Sequence, residues 1–195
     1  MTVSFSKPVV LVSALCCMVA AMLCMPVSGS AASYAHEYID EKVRRGELPE
    51  FCMYAGTGRK DKTPIGRRYL ETYGQDWIHM HHYCWALADS QNGNDKHAIG
   101  NLNYVLRGIG SNSKLRPLVL SQKATIHVAN RQYAEAVPLY YNIIELTPFS
   151  EDGYVGLAHV FMQQEDKKTA REIIQLGLQN IPDSENLKKL MEPLE

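Results

Sequence analysis

A 34-residue register in the C-terminal half constrains this chain more than any other feature. Tyr154, Leu157, Ala158 and Phe161 follow the spacing i, i+3, i+4, i+7, which is one face of a helix. The polar run QQEDKK at residues 163–168 follows. Then Ala170, Ile174 and Gly177 form a second face, and Pro182 stops that helix. Thirty-four residues earlier, Ala124, Ala136, Tyr140 and Pro148 stand where Ala158, Ala170, Ile174 and Pro182 stand. Self-similarity at a fixed period of this size predicts stacked helix pairs, because one pair cannot bury its apolar face alone. A degenerate copy precedes these two. Ala86 and Ala98 each lie 38 residues before Ala124 and Ala136, and the four extra residues fit the loop-like GIGSNSKLRP at residues 108–117. Trp85, Ala86, Leu102 and Val105 are the core residues expected of that copy.

The first thirty residues have a different character. Lys7 is followed by a 17-residue apolar run at residues 9–25, then Pro26 and the small residues Ser28, Gly29, Ser30, Ala31 and Ala32. A basic start, an apolar middle and a small-residue exit are the parts of a secretory signal. The expectation is a signal peptide over residues 1–32, cleaved after Ser30, Ala31 or Ala32, and a periplasmic or secreted protein, with bacterial export assumed. The alternative is an uncleaved N-terminal membrane anchor, although the run is short against the roughly 20 residues of a spanning helix. Of the five cysteines, Cys16, Cys17 and Cys24 fall in this leader. Cys52 and Cys84 remain, an even pair in an exported chain. A disulfide is the natural reading, with two separate buried thiols as the alternative.

The repeat resembles the tetratricopeptide repeat family, whose signature is W-x2-L-G-x2-Y, then A-x3-F, then P. The last copy reads Tyr154, Leu157, Ala158, Phe161, then Ala170, Ile174, Pro182. The middle copy reads Leu120, Lys123, Ala124, His127, then Ala136, Tyr140, Pro148. Lys123 and His127 depart from the family's apolar choices, and Pro138 lies inside the second helix of the middle copy, near its start. The resemblance covers residues 79–182. It implies an all-α fold, a short superhelix of stacked antiparallel helix pairs. Residues 79–195 would form this repeat domain, with residues 184–191 as a polar capping helix. Residues 33–78 would form an N-terminal helix, over residues 34–45, and a basic Gly/Pro-rich loop with one turn around residues 67–73.

The resemblance also implies a use. First helices of each pair in this family line a groove that holds a peptide or helix of a partner protein. By register the groove positions are Leu118, Ser121, Thr125, Val128 and Ala129 in the middle repeat, and Asp152, Val155, His159, Met162 and Gln163 in the last. Met80, Tyr83 and Leu87 are their counterparts in the first. The Lys, Asn and Arg with which the chaperone-binding subgroup grips a terminal carboxylate are absent from these positions. A mixed, mildly apolar groove suits an amphipathic helix or an extended segment.

Other chemistries are weighed on their residues. Lys and Arg total 20 against 21 Asp and Glu, which excludes a nucleic-acid binder working by bulk electrostatics. A hydrophobic content of 46 % excludes a disordered chain. The segment WIHMHHYCW at residues 77–85 carries His79, His81 and His82. On a helix His79 and His82 share a face, a spacing open to zinc, copper or haem iron if the fold supplies a third ligand. A metal- or haem-handling envelope protein is therefore the alternative function. Packing and hydrogen bonding is the plainer account of these residues. AGTGRKDKT at residues 55–63 lacks the spacing of a phosphate-binding loop. Arg59, Lys60, Lys62, Arg67 and Arg68 are instead a solvated basic set open to an acidic partner or anionic lipid. Neither a GxSxG motif nor a paired-carboxylate motif occurs. The leading expectation is a non-enzymatic interaction module with no cofactor, in an envelope assembly or secretion complex. It would meet a membrane only if the leader is retained.

Overall fold

A computed structural model of the chain describes residues 31–56 and 62–194, with side chains from Glu37 onward. Residues 1–30 of the leader expected over residues 1–32, and Arg59 and Lys60 of the basic set, lie outside the described residues. The chain divides into the units Met1–Glu37 and Tyr38–Glu195. The first contributes only the start of one helix to the described residues, and the helix pairs all belong to the second.

The elements are α1 (Ala31–Arg44), a 3-10 turn (Glu50–Met53), α2 (Pro64–Tyr73), a 3-10 segment (Gly74–His79), α3 (Met80–Gln91), α4 (Asp95–Gly108), α5 (Arg116–Ala129), α6 (Tyr133–Leu146), α7 (Asp152–Gln163), α8 (Lys167–Asn180), α9 (Glu185–Met191) and a closing 3-10 turn (Glu192–Leu194). No strand occurs among the described residues. Consecutive helices from α3 to α8 pack against one another. This is an all-α stack of helix pairs: α3–α4, α5–α6 and α7–α8.

The register explains the packing. Ala86, Ala98, Ala124, Ala136, Ala158 and Ala170 are all fully buried, because each marks a place where helices cross and a larger side chain would hold them apart. The turn inside each pair is also built on register. Gly93, Arg131 and Glu165 take left-handed backbone conformations at φ 75°, 57° and 61°. After each of these residues the next amide reaches five residues back to close the preceding helix: Asn94 to Asp89, Gln132 to His127 and Asp166 to Phe161, at 2.8, 2.8 and 2.9 Å. Two glycines permit close approach. A Cβ on Gly156 would lie 2.1 Å from Tyr140 Cε1, and one on Gly177 would lie 3.0 Å from Tyr154 Cβ. The large ring at Tyr140 is therefore accommodated by the absent side chain opposite it.

The family's missing apolar groups in the middle repeat are replaced by paired polar ones. Lys123 Nζ donates to Asn103 Oδ1 at 2.8 Å, joining α5 to α4. His127 is buried, with its Nδ1 2.8 Å from Gln132 Oε1. Burial pushes the Lys123 amine below its ordinary pKa. At the C-terminal end α9 packs on α7 and α8. The Ser184 hydroxyl caps it by accepting from Leu187 N at 3.2 Å, and Leu187 is fully buried. Glu151 accepts from Ser184 Oγ and from Asn186 Nδ2, and Arg171 donates to Leu194 O, which ties the cap to the last repeat.

Residues 47–75, expected as a long loop with one turn, hold more structure. Thr63 Oγ1 accepts from Gly66 N at 3.0 Å, and Pro64 opens a ten-residue α2. The following 3-10 segment carries Trp77, buried and stacked on Tyr69 with centroids 4.3 Å apart. One apolar core joins Ile39, Leu48, Trp77 and Met80 to Leu102 and Val105 of the first pair, so residue 79 marks no break in packing. A second core gathers Leu120, Tyr140, Tyr154, Leu157, Ile174 and Leu187.

Candidate partner-binding groove

Register places the groove on α3, α5 and α7, the first helices of the three pairs. Along α5 and α7 most of these positions face outward. Leu118 is 41 % exposed, and Thr125, Ala129, Asp152, His159 and Gln163 are exposed. Ser121 is half-buried, as are Val128, Val155 and Met162, which pack their inner sides on the second core. Thr125 Oγ1 donates to Ser121 O at 3.0 Å, and Ser150 Oγ to Asp152 Oδ2 at 3.0 Å. The face is thus a mixed strip of hydroxyl, aliphatic, thioether and imidazole groups.

At one end the strip opens into a cleft of about 650 Å³ lined by Val128, Ala129, Arg131, Tyr133 and Gln163. Tyr133 Oη donates to Gln163 Oε1 at 3.2 Å across it. Arg131 and Tyr133 are not among the groove residues that the sequence points to. The register reads helix faces, and Arg131 sits in the turn between helices. Its guanidinium supplies a charged hydrogen-bond donor at the cleft end, while Asp152 lies in the first turn of α7.

The first helix of the first pair differs. Tyr83, assigned by register to the groove, is 4 % exposed, and Met80 is fully buried. The Tyr83 hydroxyl has its pKa pushed up to about 12 by burial. Tyr83 is therefore a packed core residue and presents no binding surface. Leu87 is half-buried against the same core. The covering group is Phe51, whose ring centroid lies 6.0 Å from those of Tyr83 and Trp77. Beside it Cys52 and Cys84, 2 % and 1 % exposed, are joined with Cα atoms 5.6 Å apart.

The histidines occupy other positions. α3 begins at Met80, so His79 closes the preceding 3-10 segment and is not on the helix with His82. His79 packs into the space left by Gly108, where a Cβ would meet its ring at 2.5 Å. Tyr104 lies between the two, its ring centroid 5.8 Å from His79 and 4.0 Å from His82. Asn101 Nδ2 donates to Asp89 Oδ2 at 3.0 Å, which turns its Oδ1 toward His82 Nδ1 at 2.8 Å, so that nitrogen carries the proton. His81 Nδ1 donates to Ile78 O at 2.7 Å. Among the described residues no group of three His, Cys, Asp or Glu is arranged to hold a metal ion.

A helical-repeat stack whose outward strip follows the register of its pairs is the class of protein that fold and surface define. Residues 127–192, from the end of α5 through α9, match the tetratricopeptide repeat family. No curated protein is detectably similar to the chain in sequence.

Proposed function

We propose that this chain is an exported, non-enzymatic interaction module that binds an extended or helical segment of a partner protein along α5 and α7. The observation that carries the reading is the strip itself. Residues at register positions Leu118, Thr125, Asp152 and His159 stay exposed while the alanines one step away in the repeat are fully buried. Tetratricopeptide repeats generally mediate protein–protein interaction, and the match over residues 127–192, which takes in all of α7, supports this reading. Polar groups between aliphatic ones supply hydrogen bonds that orient a bound segment, and the cleft beside Arg131 offers an end pocket.

Export is part of the same reading. It rests on the composition of residues 1–32 and on the pairing of Cys52 with Cys84, which is stable in an oxidising compartment. Among the described residues no helix is long and apolar enough to cross a membrane. The site of action is then the periplasm or the exterior, in an envelope assembly or secretion complex.

The test is cross-linking of the exported protein in envelope extract, followed by capture, with Thr125→Glu and His159→Glu compared against Gln175→Glu on α8. The strip variants should lose the cross-linked partner while the α8 variant keeps it. Equal capture by all three would reject the strip as the binding surface. Mass spectrometry of the mature N-terminus decides export: a chain beginning after Ser30, Ala31 or Ala32 supports it, and an intact residue 1 in the membrane fraction points to the anchored form.

A further inference from the structure

We infer that residues 42–54 are a built-in ligand, seated on the first-repeat section of the groove and cross-linked there, so that the surface open to a partner starts at Leu118 and is two repeats long. This rests on the reading of α3, α5 and α7 as one binding face. Its evidence is a comparison of equivalent positions. Met80 corresponds to Leu118 and Tyr83 to Ser121 across the 38-residue offset. The first pair is 0 % and 4 % exposed, and the second is 41 % exposed and half-buried. The helices are alike, so the difference comes from what lies on top of α3: Phe51 of this segment over Tyr83, and Phe51 with Tyr69, Tyr73 and Trp77 around Met80.

The covering segment follows α3 from end to end, in the opposite direction. At the C-terminal end of α3, Gln91 Nε2 donates to Glu47 O at 2.6 Å, and Lys42 Nζ donates to Gln91 Oε1 at 3.3 Å. Lys42 also pairs with Glu47 at 2.7 Å. In the middle, Cys52 is joined to Cys84 and Phe51 lies over Tyr83. At the N-terminal end, Trp77 Nε1 donates to Tyr54 O at 3.3 Å. Backbone carbonyls caught by side chains at the two ends, one aromatic anchor between and a short 3-10 turn are the means by which a bound peptide is held. Here the peptide is the chain's own. A small cavity of about 90 Å³ between Phe51, Tyr73, Met80 and Leu118 marks the seam where the occupied section ends and the open one begins.

Occupation in cis has a clear physical advantage. A tethered segment competes at millimolar effective concentration, so a partner peptide of ordinary affinity does not displace it. The cross-link removes the remaining route to release. The occupied section is thus closed to partners, which sets both the length of the segment the protein accepts and the end at which that segment stops.

The test uses the full chain and a fluorescent synthetic peptide of residues 47–56 with serine in place of its cysteine. Wild-type protein should not bind the peptide. The double variant Phe51→Asp, Cys52→Ser should show a red shift of Trp77 emission, a several-fold rise in its quenching by acrylamide and loss of amide protection confined to residues 42–54 and the face of α3. Adding the peptide in trans should reverse these changes, and a scrambled peptide should not. The proposal is overturned if the variant unfolds α3 and α4 together, since the segment would then be core rather than occupant. It is equally overturned if the peptide fails to restore protection, or if the variant shows no change. Should the double variant not accumulate, Phe51→Asp purified with its cross-link intact and then reduced gives the same readings. No partner protein enters the experiment, so its failure and a failure of partner capture on α5 and α7 are separate results.

Discussion

The first repeat and the last are built on the same helix pair but differ in what their faces meet. In the last, Tyr154 fills the family's aromatic position, buried, donating to Pro148 O at 3.1 Å and accepting from Asn180 Nδ2 at 2.9 Å, and the outer face of α7 is left to solvent. In the first, the outer face of α3 is roofed by Phe51 and the buried Trp77, with Tyr69 and Tyr73 stacked on that indole. The lesson is that a repeat's register determines which residues can face outward, and a neighbouring segment determines whether they do.

The sharpest way to break this comparison is to truncate equivalent side chains. Met80→Ala removes a fully buried side chain and should cost about 2–5 kcal/mol of stability in urea denaturation. Leu118→Ala, at the same register position, should cost less, about 1 kcal/mol, because that side chain is 41 % exposed. Equal costs would mean that α3 and α5 are covered alike. Next in size is the cross-link. Its two ends are 32 residues apart, and opening that loop should cost roughly 3–4 kcal/mol in the chain-entropy treatment. The double variant Cys52→Ala, Cys84→Ala measures it. A thiol count on the exported protein, denatured without reductant, should find neither cysteine free, and two free thiols would remove the lock from the first repeat.

The comparison also shows what is legible in the amino-acid sequence. The six alanines, the two prolines at Pro148 and Pro182 and the apolar spacing of α7 and α8 are enough to place three helix pairs, because helix crossings admit only small residues at fixed intervals. The cover over α3 is not legible in that way. It has no period, and its members come from four short stretches whose only signals are local: the Thr63–Pro64 start of α2 and the four-residue spacing of Tyr69, Tyr73 and Trp77. Register alone therefore assigns Tyr83 to an open groove. The same limit applies to His79, since its place depends on where a 3-10 segment gives way to α3.

A smaller effect tests the close approach between the middle and last pairs. Gly156→Ala places a methyl group into the Tyr140 ring and should cost about 1–3 kcal/mol, read by urea denaturation. A second change, Tyr140→Leu, should recover part of that loss by removing the ring edge. If Gly156→Ala were silent, the packing of α6 on α7 would be looser than the geometry implies. Below this lies the cap of the last repeat. Ser184→Ala removes the acceptor for Leu187 N and should cost about 1 kcal/mol, with fraying confined to α9 in hydrogen exchange.

The smallest effect is a dependence on pH, and it distinguishes the two ends of the molecule. Hydrogen bonds from Ser184 and then from Asn186 hold the Glu151 carboxyl below the usual carboxylate range. The folded state therefore binds fewer protons than the unfolded state as pH falls toward that range. The stabilisation is complete above the ordinary carboxylate pKa and is lost as pH falls through the lowered folded value. At the other end the hydrogen bond from Lys42 lowers Glu47 in the same direction. Both ends should loosen in acid, but through different partners. Glu151→Gln should flatten the acid dependence of α9 protection and leave that of residues 42–54 unchanged. Glu47→Gln should do the reverse. Hydrogen exchange of wild type and both variants across the acid range reads the two separately, and a single change that flattened both ends would show that the roofed repeat and the capped one open as one unit.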